Sequence, residues 1–240
     1  MNKTLTYKSA GNGVTITGVS DDKMTGKLVI PDKIDGKLVT SILDFAFSNC
    51  SGLTSVTIPD SVMYIGEGAF YGCGAMTSVT IPSSVTVIGD VAFHSCSKLA
   101  NVKIPDSVKS MGHSVFYACH GLTNAIIGKS LTIISPQTFQ ECTRLNKVTI
   151  GNNIKSIGEW AFSKCSGLKS ITLPSSILSL GQYAFYGCSG LTSLILPSSL
   201  TSIGVSVFYG CKGLTSVTIP ASLKKFSPNA FPATTKIIRE

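Results

Sequence analysis

The chain has 240 residues, of which 43% are hydrophobic and only 13% are charged, and its formal net charge is +8. Charged residues make up about a quarter of an average soluble domain, so serine and threonine must cover much of this surface. No stretch approaches the roughly 20 apolar residues of a membrane-spanning helix, which excludes membrane insertion, and the first ten residues lack the apolar core of a secretory signal.

Residues 1–30 are predicted to form an N-terminal cap. Residues 5–8 and 14–19 resemble short strands, and the Gly-Asn-Gly sequence at 11–13 is typical of a hairpin turn. The following segment is five residues longer than the later repeats. We expect its extra residues, DGKLV at 35–39, to loop out or to add a strand pair.

Residues 31–231 repeat with a period of 23 residues. A phenylalanine column runs from Phe47 to Phe231 at this interval, and all of the cysteines follow the same interval. The eight cysteines are Cys50, Cys73, Cys96, Cys119, Cys142, Cys165, Cys188 and Cys211. A fixed period of this length indicates a solenoid, in which each coil buries its apolar residues against its neighbours.

One repeat, residues 53–73, reads LxxVxIPxxVxxIGxxAFxxC. Val56 and Ile58 alternate with polar residues and predict a short strand, which Pro59 ends because it cannot donate to a strand ladder. The segment at 66–73 is too short and too rich in glycine for a long helix, so we predict one helical or 3₁₀ turn. Stacked coils would then align their strands in a parallel sheet at about 4.8 Å per coil.

The last residues are predicted to form a C-terminal edge strand in the segment 232–240. Thr234 takes the cysteine position, and the KIIRE sequence at 236–240 follows as a strand. Lys236, Arg239 and Glu240 would protect this edge from pairing with another chain. The predicted organisation is therefore a cap (1–30), a repeat solenoid (31–231) and an edge strand (232–240).

The combination of IP, IG, AF and Cys at fixed offsets resembles the BspA-like class of leucine-rich repeats, the 23-residue type of bacterial and protozoan surface proteins, over about residues 27–240. This resemblance implies a right-handed leucine-rich-repeat coil that binds proteins or glycans at a cell surface, without catalytic residues. Gly128 and Gly151 depart from the pattern at the proline position, and Ser135 departs at the glycine position. We expect these coils to differ in shape.

The reactive side chains favour a structural interpretation. The cysteines form one column and lack the paired spacing of a zinc site, so we predict buried free thiols rather than disulfides or metal ligands. His94, His113 and His120 occupy different repeat positions, and His94 shares a column with tyrosines. No catalytic or nucleotide-binding motif is present. We therefore predict no enzymatic activity, no metal site and no cofactor.

Charge is distributed unevenly along the chain. Residues 1–106 carry eight basic and nine acidic residues, whereas residues 107–240 carry twelve basic and three acidic residues. Repeat positions place several bases on the outward side of the strands or just before the strands begin. This outward side would be concave in a curved solenoid. These candidate ligand-binding residues are Lys98, Lys103, Arg144, Lys147 and Lys169. They would attract an acidic protein or an anionic glycan, although lysines that only keep the chain soluble explain the same pattern.

Trp160 and Tyr183 occupy one column in neighbouring repeats and form a second candidate site on the opposite side, because an exposed aromatic pair can anchor a sugar or a protein. A tryptophan that only packs over the bend explains the same pattern. The resulting prediction is a non-enzymatic adhesion or ligand-binding module of a cell surface or secreted protein, as part of a longer chain. Its partner would be a protein or anionic glycan, and no nucleic acid is expected. An intracellular protein-protein interaction scaffold is the alternative, which free thiols and the lack of a signal would fit. An enzyme or an ice-binding protein is a further alternative, although Lys103 and other residues interrupt the threonine column that ice binding would need.

Overall fold

The computed structural model describes residues 5–20 and 24–239, and within them the chain winds into a solenoid of 23-residue coils. The described residues form short strands joined by turns. In chain order the strands are β1 (Leu5–Ala10), β2 (Gly13–Val19), β3 (Thr25–Val29), β4 (Lys33–Ile34), β5 (Lys37–Ile42), β6 (Gly52–Thr57), β7 (Tyr64–Ile65), β8 (Ser78–Thr80), β9 (Val87–Ile88), β10 (Asn101–Lys103), β11 (Ser110–Met111), β12 (Asn124–Ile126), β13 (Ile133–Ile134), β14 (Lys147–Thr149), β15 (Ser156–Ile157), β16 (Ser179–Leu180), β17 (Ser193–Ile195), β18 (Ser202–Ile203), β19 (Ser216–Ile219) and β20 (Lys236–Arg239).

A hairpin opens the fold, as predicted. Strands β1 and β2 pair antiparallel, and β2 then pairs in parallel with β5, which joins the hairpin to the solenoid. The extra residues of the first coil add a strand pair, because β4 and β5 are antiparallel. Asp35 and Gly36 connect them with φ angles of 51° and 76°, the conformation that a tight hairpin turn requires.

The first longitudinal surface, which we call the strand face, is the outward side of β6, β8, β10, β12, β14, β17 and β19. The strand face consists of three sheets, and within each sheet neighbouring strands pair in parallel and in register, so that Val102 lies opposite Ala125 and Lys103 opposite Ile126. The central residue of each strand points into the core, and Val102 and Ala125 are buried. Period-2 alternation in the sequence therefore predicts which side chains are outward.

At the C-terminal end β20 continues the strand face by pairing in parallel with β19. All four residues of β20 are exposed, including Lys236 and Arg239. Glu240 lies outside the described residues. The division of the chain at residues 30 and 231 stays a prediction.

A second ladder of two-residue strands runs parallel to the strand face. It consists of β7, β9 and β11, joined to β5, and then of β13, β15, β16 and β18. The second residue of most of these strands, such as Ile65 or Ile157, is buried.

The third surface, which we call the turn face, corresponds to residues 66–73 and their equivalents in each coil. The helical or 3₁₀ turn predicted there is wrong, since this segment is a run of turns in every coil. Gly68, Phe70 and Gly72 donate their N–H groups to the next coil at 2.8 Å, whereas Tyr71 and Cys73 donate theirs within their own coil. A helix cannot form because alternate N–H groups point along the solenoid axis.

This alternation depends on two residues per coil with φ between 47° and 77°. They are Phe45, Asn49, Gly68, Gly72, Val91, Ser95, Ser114, Ala118, Gln137, Glu141, Trp160, Lys164, Tyr183, Gly187, Ser206 and Gly210. A left-handed conformation costs a non-glycine residue about 1–2 kcal/mol. The hydrogen bonds between coils along this face offset that cost.

The core lies between the three surfaces and is built from stacked phenylalanines. Rings from Phe47 to Phe231 stack on their neighbours with centroids 5.2–5.7 Å apart and planes inclined by 7–15°. The thiols from Cys73 to Cys211 each donate a hydrogen bond of 3.0–3.3 Å to a phenylalanine carbonyl oxygen of the preceding coil. The phenylalanine and cysteine columns thus stabilise the same contacts between coils.

Glycine in the IG position allows the coils to approach closely. A Cβ atom on Gly158 or Gly181 would lie 2.6 Å from a backbone nitrogen of the preceding coil. Ser135 occupies this position in one coil, and there the second ladder is interrupted between β11 and β13. The Phe116 and Phe139 rings are 5.7 Å apart, the widest spacing in the column. The Ser135 hydroxyl replaces the missing backbone bond by donating to the Met111 carbonyl oxygen at 2.6 Å.

The two coils without proline are also tightly stacked. A Cβ atom on Gly128 would collide with the Pro105 carbonyl oxygen, and one on Gly151 would lie 2.8 Å from the Gly128 carbonyl oxygen. The backbones approach closely at both glycines, and the expectation that these coils differ in shape stays a prediction.

Candidate functional site

The strand face carries two of the predicted basic residues. Lys103 lies in β10 and Lys147 in β14, and both are exposed. They are separated by β12 and offset by two residues along the strands. Strand spacing and rise then place their Cα atoms about 12 Å apart.

Three further bases surround this pair. Lys98 and Arg144 are exposed, share one repeat position two coils apart, and lie just before β10 and β14. Lys169 is also exposed, but the prediction that it belongs to a strand is wrong because residues 168–175 form none. The backbone of residues 170–172 is not paired with β14 or β17.

Within residues 5–20 and 24–239, ion pairs join Lys129 to Asp106 at 3.9 Å and Lys164 to Glu141 at 2.7 Å. In the same part of the chain none of the five predicted bases has a carboxylate partner. Their charges are thus available to a ligand, and no neighbouring acid compensates them.

The strand face is also uneven. It is divided into three sheets, with interruptions between β8 and β10 and on both sides of residues 170–172. A shallow depression lies at each interruption. Lys103 and Pro105 line the first, and Thr172 contributes to both of the others.

The cysteines lie away from these surfaces. All eight are buried free thiols, and burial raises the pKa of those from Cys73 to Cys188 well above the usual value. Since the thiolate is the reactive form, these side chains are poor nucleophiles and poor metal ligands. No group of three or more His, Cys, Asp or Glu residues in the described parts of the chain could hold a metal ion.

The histidines pack against other residues. His94 stacks between Tyr71 and Tyr117 with centroids 4.7 Å away on both sides, which confirms the predicted stacking, and burial lowers its pKa. His120 contacts the Glu141 carbonyl oxygen through Nδ1 at 2.9 Å, whereas the backbone N–H of His113 donates to Asp90 at 2.7 Å. Local packing therefore explains these contacts of the three histidines.

The turn face brings Trp160 and Tyr183 together, with ring centroids 4.1 Å apart. Tyr186 contacts both edge to face, and Tyr209 stacks on Tyr186 with centroids 5.7 Å apart. The indole Nε1 of Trp160 donates to Glu159 at 3.0 Å. Tyr186 and Tyr209 were not predicted as part of a site, although their shared repeat position beside Trp160 and Tyr183 contained the signal.

Comparisons with known proteins agree with this geometry. The sequence profile of the BspA type leucine-rich repeat region matches residues 26–145 and 110–238. A leucine-rich repeat protein of T. pallidum is 29% identical, with a TM-score of 0.70, and the match covers 88% of this chain and 87% of that one. No curated protein matches the chain.

Two other solved structures share the fold. A leucine-rich cell surface protein of Faecalibacterium prausnitzii is 24% identical, with a TM-score of 0.62, and the match covers 97% of this chain and 92% of the other. The pneumococcal vaccine antigen PcpA is 19% identical, with a TM-score of 0.56, over 100% of this chain and 87% of the other.

Proposed function

Because the chain belongs to the BspA-type leucine-rich repeat family, we propose that it is a non-enzymatic binding module that recognises an anionic protein or glycan at a cell surface through its strand face. The observation that carries this proposal is the group of exposed bases around Lys103 and Lys147, which have no acidic partner among the described residues.

The strand face is suited to binding by many weak contacts. Its strands form a rigid support, so little conformational entropy is lost when a ligand is bound. Thr80, Thr149 and Thr172 line shallow depressions beside the bases and supply hydrogen-bonding groups. The bases would accelerate encounter with an acidic ligand and orient it. The described residues include no helix that could cross a membrane.

The test is binding to immobilised heparin and to an acidic protein at about 50 and 500 mM salt, which span weak and strong screening. A variant with Lys103, Lys147 and Lys169 changed to Glu should lose binding. The matched control changes Lys109, Lys155 and Lys224 to Glu, because these exposed lysines share one repeat position on another side of the solenoid. Both variants have the same net charge.

We expect salt-sensitive binding that the control retains and the strand-face variant loses. Equal loss in both variants would mean that only the overall charge matters. Binding to heparin without binding to the acidic protein would identify a glycan as the ligand, and the reverse would identify a protein.

The intracellular scaffold remains the second candidate, because eight reduced thiols are typical of a reducing compartment. Antibody labelling of intact and permeabilised cells separates the two. Labelling that requires permeabilisation would favour the scaffold and contradict the surface assignment.

A further inference from the structure

The turn face contains an interruption in a column of aromatic rings. Tyr71, His94 and Tyr117 stack on one side of it, and Tyr186 and Tyr209 stack on the other. Gln140 and Ser163 occupy the two intervening positions. Since the rings stack along the solenoid axis, Tyr117 and Tyr186 each have a ring neighbour in the column on one side only.

Both intervening side chains have an unusual hydrogen-bonding state. The Oε1 atom of Gln140 and the Oγ atom of Ser163 are buried and have no hydrogen-bond partner. Gln140 is 9% exposed and Ser163 is 0% exposed. Buried polar atoms are almost always paired in native proteins, so two unpaired oxygens in adjacent coils require an explanation.

An ion pair lies beside these two residues. Lys164 Nζ contacts Glu141 Oε1 at 2.7 Å, and their side chains are 53% and 26% exposed. The hydrogen bond to Glu141 raises the pKa of Lys164, and the nearby phenols of Tyr117 and Tyr186 add to this increase. The backbone N–H of Lys164 also donates to the Tyr186 carbonyl oxygen at 2.6 Å, so this residue lies next to one tyrosine that borders the interruption. An exposed pair of this kind contributes little stability and can open readily.

Trp160 contacts Tyr186, one of the tyrosines that border the interruption. Its ring lies edge to face with Tyr186 at 5.7 Å, and its backbone is held in the left-handed conformation with φ of 58°. This conformation recurs at the equivalent residue of the other coils, and it leaves the Trp160 side chain half-buried on the turn face.

We propose that Trp160, Tyr186, Gln140 and Ser163 form a binding notch for a neutral carbohydrate. The aromatic rings would pack against the C–H groups of a pyranose ring, and the two unpaired oxygens would bond to its hydroxyl groups. Both steps require the ion pair of Lys164 and Glu141 to move aside.

The chemistry of the notch favours this class of ligand over others. The amide of Gln140 and the hydroxyl of Ser163 can each donate and accept, as neighbouring sugar hydroxyls also can. An apolar side chain of a protein partner would leave both oxygens unpaired. The charges of Lys164 and Glu141 cancel, so the notch does not select an anion. The proposal does not rest on the basic strand face.

Trp160 is the only tryptophan in the chain, so its fluorescence reports directly on this site. The full chain is titrated with lactose, mannotriose and chitotriose up to about 50 mM, a range that covers weak sugar affinities. We expect a saturable change in Trp160 emission with at least one sugar. Absence of any saturable change with all three would overturn the proposal.

Two variants test the unpaired oxygens. Ser163→Ala and Gln140→Ala should each raise the Kd at least tenfold. Ser163→Ala should also raise Tm by about 2–4 °C, because an unpaired buried hydroxyl is removed. The matched control is Ser107→Ala, since Ser107 also has a buried unpaired hydroxyl but lies elsewhere in its coil. It should raise Tm without changing sugar binding.

Lys164→Ala provides a test that does not depend on buried residues. Removal of the covering ion pair should lower the Kd severalfold. Sugar affinity that is unchanged in Ser163→Ala, Gln140→Ala and Lys164→Ala would refute the notch, and would mean that the oxygens bind only water.

Discussion

Truncation of one core phenylalanine should destabilise the solenoid strongly. Phe139 is fully buried and stacks on Phe116 at 5.7 Å and on Phe162 at 5.3 Å. Its carbonyl oxygen also accepts the thiol of Cys165 at 3.1 Å. A Phe139→Ala substitution leaves a cavity between coils that cannot close, because the hydrogen bonds of the turn face fix the spacing on both sides.

The expected cost follows from these contacts. Truncation of a buried phenylalanine costs about 3–5 kcal/mol, and the loss of two stacked neighbours places this site toward the upper end. We therefore expect the free energy of unfolding to fall by about 4–5 kcal/mol. Because each coil contacts only its neighbours, the hydrogen exchange of the adjacent coils should accelerate together.

Phe45→Ala is the matched control, since it removes the same atoms from a phenylalanine that is 50% exposed. It should cost less than about 1 kcal/mol. The assay is denaturant unfolding followed by circular dichroism. A loss of less than about 1 kcal/mol for Phe139→Ala would refute the role of the phenylalanine column as the core. Equal losses for both variants would show that burial does not distinguish the two positions.

Three further predictions concern contacts between coils and can be measured by the same unfolding assay. Gly181→Ala should cost about 1–3 kcal/mol, because its Cβ atom would lie 2.6 Å from the Glu159 backbone nitrogen. Gly74→Ala, whose nearest neighbour is 3.4 Å away, should be close to neutral. Gly128→Pro should destabilise the chain although proline matches the other repeats, because its Cβ atom would collide with the Pro105 carbonyl oxygen; a stabilised variant would show that the coils can separate there at little cost. Burial raises the pKa of the thiols from Cys73 to Cys188 in the folded chain. The contribution of these thiols to the free energy of unfolding should therefore be constant below the unfolded thiol pKa of about 8.5. Above that pH the free energy of unfolding should decrease by about 1.4 kcal/mol per thiol and pH unit. Cys119→Ala should make this alkaline decrease less steep, and an unchanged slope would contradict the assignment.

The repeat period predicted most of the fold. It identified most strands of the strand face, the phenylalanine core and the buried cysteine column, because each of these depends on side-chain type at a fixed interval. The hairpin cap was predicted instead from its two strand-like stretches and its Gly-Asn-Gly turn. The period did not predict the conformation of the turn face. Val91 and Trp160 are unfavourable in the left-handed conformation, so their local preferences gave no indication of it, and only hydrogen bonds between coils impose it.

The candidate sites were predicted less completely, for a related reason. Repeat positions correctly placed Lys103 and Lys147 on the strand face. They could not show that residues 170–172 pair with neither β14 nor β17, because the repeat pattern contains no residue there that indicates a loss of strand pairing. Trp160 and Tyr183 were identified as an aromatic pair in one column, and the structure leaves both half-buried. The importance of Gln140 and Ser163 depends instead on missing hydrogen bonds, which only coordinates reveal.

The two faces make opposite predictions about salt, and this separates their functions. The strand face would bind through unpaired charges, so its affinity should fall as screening increases. The notch beside Trp160 would bind through ring packing and neutral hydrogen bonds, so its sugar affinity should be nearly independent of salt. One titration of the Lys103, Lys147 and Lys169 to Glu variant with a neutral sugar, followed by Trp160 emission, should therefore give the same Kd as the original chain at both salt concentrations. A Kd that rises with salt or with the charge reversal would mean that the two faces form one coupled site.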